Sequence, residues 1–122
     1  MPQIFLETTA NLEENAVIPD ILEALVATLS KFETVDPAAV KAFHGLRMTW
    51  EMGLGAPAGF VQCQVSVLTG RPLELRQRIA DEIINVLQNA FRVSIDEHEA
   101  SITVEIREME RETFRKVVKK LT

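Results

Sequence analysis

A single cysteine, Cys63, stands among the 122 residues, so no internal disulfide can form and a reducing compartment is expected. No apolar run approaches the roughly 20 residues that a membrane helix needs. No charged start leads into an apolar stretch as a secretory signal would. A soluble, cytoplasmic protein without membrane partners is therefore expected. Basic residues are in deficit, 13 Lys and Arg against 18 Asp and Glu for a net charge of −5. That balance argues against nucleic acid as a partner, because nonspecific binding needs a broad surplus of cations. No His/Cys/Asp grouping has metal-ligand spacing, no Gly-rich phosphate loop follows a strand, and no Ser-His-Asp set is present. Cofactors are not implied.

What is there is enough apolar material for a core. Hydrophobic residues make up 47% of the chain and charged residues 25%, the balance of a globular protein. A chain of this length fits one domain and buries about two thirds of the surface that its unfolded form exposes.

Periodicity divides the chain into two similar halves. Gln3 to Thr8 reads as a strand, and Asn11 with Glu14 three residues later as a helix cap with a reciprocal acid. Ile18, Ile21, Leu22, Leu25, Leu29 and Phe32 stripe a first helix, with Pro19 near the start of its regular part. After the Asp36-Pro37 break, strict alternation predicts a long strand from Val40 to Met52. Gly53 to Gly59 is a loop, and Phe60 to Leu68 is a third strand with Val61, Cys63, Val65 and Val67 on one face. Pro72 is expected as the first residue of a second helix striped by Leu75, Ile79, Ile83, Val86, Leu87 and Ala90. Ser101 to Met109 is a fourth strand, and Arg111 to Thr122 a short helix with Phe114, Val117, Val118 and Leu121 on one side. Asp20-Ile21-Leu22-Glu23-Ala24-Leu25 and Asp81-Glu82-Ile83-Ile84-Asn85-Val86 hold matching places, so the chain reads as a doubled βαβ unit. A single domain over 1–122 is expected, with pseudo-repeats 2–52 and 58–109 and a tail 110–122. Each unit should be right-handed with parallel strands. Both helices then lie on one face of a four-stranded sheet. The other face, taken as apolar along Val40 to Met52, should be buried against other subunits.

Three residues are candidates for chemistry. Pro2 follows the initiator methionine directly. If Met1 is removed, its nitrogen becomes a secondary amine, and an α-amino group titrates at roughly 7.7–8.0, close enough to neutrality to act as a base. The plain alternative is that proline at this position only permits methionine removal. Arg71 stands at the mouth of the second helix, where free backbone N–H groups already favour an anion and a guanidinium adds a planar partner for a carboxylate. An exposed arginine at a turn is the competing reading. Lys41 opens the second strand, at the same sheet edge as Pro2, where its charge would disfavour a protonated amine and hold a carboxylate; a solvated lysine is the alternative. Cys63 and His44 read as buried structural residues on apolar strand faces, Trp50 as core, and His98 as part of a solvated loop. The basic residues of the tail, Arg111 among them, read as a solvated face.

Taken together, Met1-Pro2 leading into a strand, the doubled βαβ unit and Gly70-Arg71-Pro72-Leu73-Glu74-Leu75-Arg76-Gln77 resemble the tautomerase superfamily, and within it the 5-carboxymethyl-2-hydroxymuconate isomerases. The resemblance runs from Pro2 to about Met109 and takes in Thr49-Trp50-Glu51-Met52 and Val104-Glu105-Ile106. It implies an α/β (α+β) tautomerase/MIF-like fold: two βαβ units form a four-stranded mixed sheet with two helices on one face, and the protein is a homotrimer. It further implies an isomerase of aromatic-compound catabolism that needs no cofactor. Pro2 would be the general base, and Arg71 would bind a carboxylate or polarise the 2-oxo group of an unsaturated oxo-dicarboxylate. Lys41 stands where the isomerases have an arginine, so charge is kept and the planar fork is lost. A general keto–enol tautomerase of other 2-oxo acids, or a non-catalytic trimer keeping the fold, are the alternatives.

Overall fold

Alternating burial shows which side of each strand meets the helices. A computed structural model describes residues 2–121. In the first strand, β1 (Gln3–Thr9), Ile4, Leu6 and Thr8 are wholly buried, while Gln3, Phe5 and Glu7 between them are half-buried. Strand β3 (Gly59–Leu68) repeats the pattern with Val61, Cys63, Val65 and Val67 inside. The two strands pair antiparallel, Leu6 opposite Cys63 and Ile4 opposite Val65, so one continuous apolar surface spans the middle of the sheet. Helix α1 (Ile18–Ser30) lays Ile21, Leu25 and Leu29 onto it, and α2 (Leu73–Ala90) lays Ile79, Ile83 and Leu87. Both triplets recur every four residues, the spacing of one helical face. Each fully buried aliphatic side chain of this kind contributes about 1.5–3 kcal/mol.

Strand β2 (Lys41–Arg47) pairs parallel with β1, and β4 (Ala100–Met109) pairs parallel with β3, which gives the order β2-β1-β3-β4. Chain order therefore runs strand, helix, strand twice, with the two parallel pairs joined through β1 and β3. A five-residue helix, α3 (Arg92–Asp96), follows α2 and was not evident from the sequence.

Several boundaries differ from expectation, each for a local reason. The alternation that predicts a strand to Met52 outlasts the strand. Thr9 pairs with Arg47, the Ala10 N–H closes onto the Arg47 carbonyl at 3.0 Å, and β1 then turns away, so later residues have no partner backbone. Met48 is 72% exposed, and Trp50, expected in the core, donates its indole N–H to the Ala58 carbonyl at 2.9 Å and pins the following loop. The apolar side of β2 is not the bare one. Val40 and Ala42 pack on the core beneath the helices, and the opposite face carries Phe43 stacked on Phe5 (centroids 4.9 Å apart) beside Glu7, which binds Arg47 and Gln62. The face away from the helices is thus a small aromatic patch in a polar field.

Asn11 caps no helix. Its side chain accepts from Thr9 Oγ1 at 2.6 Å and donates to the Glu99 carbonyl at 3.1 Å, while residues Glu13–Val17 form a 3-10 turn. Pro19 does stand in the first turn of α1, where its missing N–H costs nothing. Pro72 immediately precedes α2 with an extended backbone rather than opening it. The tail has a 3-10 turn at Arg111–Thr113 and no regular structure over 114–121. Val117 and Leu121 are fully exposed; with no surface in the protomer to receive the stripe, a short helix has nothing to repay its nucleation.

Candidate active site

The strand register builds a site at one edge of the sheet. Gln3 pairs with Lys41 on one side and with Ser66 on the other, and Leu68 pairs with Met109. The beginnings of β1 and β2 and the ends of β3 and β4 therefore share an edge, and the turn from Thr69 to Pro72 crosses it. Pro2 lies there, buried, its carbonyl accepting the Lys41 N–H at 3.3 Å. Lys41 shares the strand face of Gln3 and is exposed. The antiparallel β1–β3 pairing puts Arg71, just beyond the end of β3, at the same edge of the protomer as Pro2. Met1, whose removal would free the amine, lies outside the described residues.

Arg71 is held as an oriented guanidinium. Gly70 adopts φ +119°, a conformation that side-chain-bearing residues rarely reach, and it turns the chain so that Arg71 folds back over the edge. The guanidinium donates from Nη2 to the Thr34 carbonyl at 3.0 Å, from Nε to Thr34 Oγ1 at 3.4 Å and from Nη1 to the Leu68 carbonyl at 3.4 Å. Burial, and secondarily the positive charge of Arg111, lower its pKa from the usual arginine value. It nonetheless remains a cation at any pH of interest. A groove of about 630 Å³ adjoins it between the C-terminal end of α1 and the start of α2, lined among others by Phe32, Thr34, Pro72, Leu75 and Arg78. Neither Pro2 nor Lys41 lines this groove, so it neighbours the edge site and is not itself the site.

The other polar candidates sit elsewhere. His44 binds Thr8 Oγ1 through Nε2 at 2.7 Å. The Asn15 amide donates to the Thr9 carbonyl, so its oxygen faces Thr8 and takes the hydroxyl proton at 2.6 Å. Thr8 can then only accept from His44, which fixes the proton on Nε2. Burial lowers the His44 pKa from 6.5. Cys63 is buried, and desolvation pushes its thiol up to about 12. His98, with φ +59°, turns the chain from α3 towards β4 and accepts from the Ala58 N–H at 3.1 Å. Among the described residues, no three His, Cys, Asp or Glu side chains gather as metal ligands. The residue missed by sequence reasoning is Arg111, assigned to a solvated helix face but bound across the site edge to Thr69. Only the position of Met109 opposite Leu68 could have revealed it.

Two parallel βαβ units in one mixed sheet, with Pro2 directly before an inner strand and Arg71 held at the turn into α2, make up a tautomerase-type fold. The model of the 5-carboxymethyl-2-hydroxymuconate isomerase family matches residues 2–119, and the chain belongs to that family. Among solved structures, a 5-carboxymethyl-2-hydroxymuconate isomerase from Deinococcus radiodurans R1 superposes with a TM-score of 0.86 at 23% identity, covering 95% of this chain and 88% of that one. A 5-carboxymethyl-2-hydroxymuconate delta-isomerase superposes at 0.81 with 10% identity, over 98% and 89% of the two chains. A fused 4-OT symmetric trimer gives 0.72 at 16% identity, over 98% and 94%. At these identities the superpositions establish the shared fold. A search of curated proteins found no match. Among the described residues, no helix is long and apolar enough to cross a membrane.

Proposed function

We propose that the protein is a cytoplasmic, cofactor-independent isomerase of aromatic-compound catabolism, which moves a proton between carbons of an unsaturated oxo-dicarboxylate and so shifts its double bonds. The observation that carries this reading is the register that gathers Pro2, Lys41 and Arg71 at one sheet edge. With Met1 removed, Pro2 presents a secondary amine, and its burial disfavours the charged form, leaving a base near neutral pH. The amine takes the enolic proton of a 2-hydroxy-diene acid and returns it to a distant carbon. Arg71 and Lys41 hold the carboxylates and stabilise the dienolate as charge develops. Family membership supports the isomerase class. The working assembly is a homotrimer, supported by the uncovered sheet face and by the trimeric structural neighbour.

The test is an intact mass of the natively expressed protein, followed on the same sample by ketonisation of 2-hydroxymuconate with wild type and Pro2→Ala. Met1 absent and a rate about 10²-fold or more lower in the variant is the expected result, the usual worth of a positioned base. Met1 retained, or equal rates, overturns the reading.

A further inference from the structure

Two guanidiniums, not one, are held at the turn that crosses the edge of Pro2. Arg111 stands two residues past Met109, the last residue of β4, and the Thr69 N–H donates to the Met109 carbonyl at 3.0 Å, which sets Arg111 across from the Thr69-Gly70 turn. Its Nε and Nη2 both donate to the Thr69 carbonyl, at 3.3 and 2.9 Å. Nη2 also lies 3.7 Å from where a Cβ on Gly70 would stand, so the guanidinium rests against the residue preceding Arg71. The two cations are close enough for Arg111 to weaken the hold of Arg71 on its proton.

Like charges held side by side need compensation, and no acid among the described residues supplies it. Among the described residues, the ion pairs are Arg47 with Glu7, Arg76 with Glu108 and Arg107 with Glu105, so neither Arg71 nor Arg111 has a carboxylate within bonding range. Both are tied down by neutral acceptors, mostly backbone carbonyls, which fix the guanidiniums without cancelling their charge. Of the five N–H groups on each guanidinium, Arg71 commits three and Arg111 two, leaving two and three for a ligand. A pre-oriented, uncompensated pair of planar cations on an otherwise acidic protein is suited to a ligand that brings more than one negative charge.

We infer that Arg111 is a substrate-binding residue which, with Arg71, forms a two-guanidinium seat that selects dicarboxylates over monocarboxylates. This deepens the proposed isomerase reading and rests on it for the identity of the substrate. A dianion relieves the repulsion between the two cations as it binds, whereas a monoanion relieves only part of it. Discrimination by charge follows, with the planar forks giving direction to the carboxylates.

The experiment uses ligands that cannot isomerise. Adipate and hexanoate binding is measured by titration calorimetry at low and moderate salt for wild type, Arg111→Gln, Arg111→Lys and Arg115→Gln, with thermal melts confirming folding. Arg115 is the control for bulk charge, since its side chain donates only to carbonyls of the tail. Wild type is expected to prefer adipate. Arg111→Gln should weaken adipate about tenfold or more and hexanoate by less than about threefold, the size of one lost charge-assisted contact. Arg111→Lys should recover part of the loss, and Arg115→Gln should leave the preference intact. The inference is overturned if wild type does not favour adipate, if Arg111→Gln leaves adipate unchanged or weakens both ligands alike, or if Arg115→Gln has the same effect. Because binding is read without turnover, an active Pro2→Ala with Arg111-dependent adipate binding sinks only the proton-transfer reading. An inactive Pro2→Ala with adipate indifferent to Arg111 sinks only this one.

Discussion

Replacing Glu14 by alanine should be among the costliest single changes outside the apolar core. Glu14 is 8% exposed, and its carboxylate accepts both from Ser94 Oγ and from the Ser94 backbone N–H, the latter at 3.1 Å; Ser94 is itself 2% exposed. Ser94 is the third residue of α3, whose first-turn N–H groups have no partner within the helix. Glu14→Ala leaves two buried donors without an acceptor. At about 1–3 kcal/mol for each stranded donor, less whatever water entering the vacated space recovers, the loss is about 2–4 kcal/mol. That is a large share of a total stability of about 5–15 kcal/mol, and it lowers the melting temperature by roughly 8–16 °C in a domain of this size. Glu14→Gln keeps one acceptor oxygen and should cost about half as much. The assay is urea unfolding followed by circular dichroism at one fixed protein concentration, so that any self-association weighs equally on every variant. Hydrogen exchange at the Ser94 amide gives a local readout. A loss below about 0.5 kcal/mol, the range of ordinary surface changes, or a glutamine variant as damaged as the alanine one, would refute the reasoning.

Two further outcomes follow from the titratable groups. Burial lowers the His44 pKa from 6.5, so on acidification the unfolded chain takes up that proton before the folded one. The stability involved is complete above about 6.5 and drains away as pH falls below it; wild type should lose more of its urea midpoint between pH 7 and 5 than His44→Gln, and superimposable slopes would contradict this. Cys63, with its thiol pushed up to about 12, should resist a neutral-pH thiol reagent in the native protein and react once urea unfolds it. Rapid labelling under native conditions would contradict its burial.

The sequence showed most of the fold because one period-two or period-3.6 pattern underlies each long element. The Ile21, Leu25, Leu29 and Ile79, Ile83, Leu87 triplets announce their helices, and Val61 to Val67 announces β3. Alternation reports the two faces of a segment but not whether a partner lies beside it, which is why β2 was extended past Arg47 and its apolar side assigned to the wrong face. Glu14 illustrates the same limit for polar groups. Its spacing from Asn11 matches a local cap, yet its partner stands 80 residues away in a helix too short to leave a periodic trace. Pro2 and Lys41 could be placed at one edge from the parallel unit alone, but bringing Arg71 to that edge required the antiparallel register of β1 with β3. Arg111 was masked by an apparent helical stripe that no neighbouring surface in the protomer stabilises.

The order β2-β1-β3-β4 also sets a schedule for synthesis. Strand β1 leaves the ribosome first, yet both of its neighbours come later, β2 at Lys41–Arg47 and β3 at Gly59–Leu68. A nascent first half can close its own parallel pair, but one side of β1 stays an open template of unpaired amides and carbonyls until β3 is translated. The edge that positions Pro2 is thus completed only after more than half of the chain exists. Growing chains halted between β2 and β3 should be the species most prone to mispair with one another, which makes that interval the vulnerable stage of biogenesis.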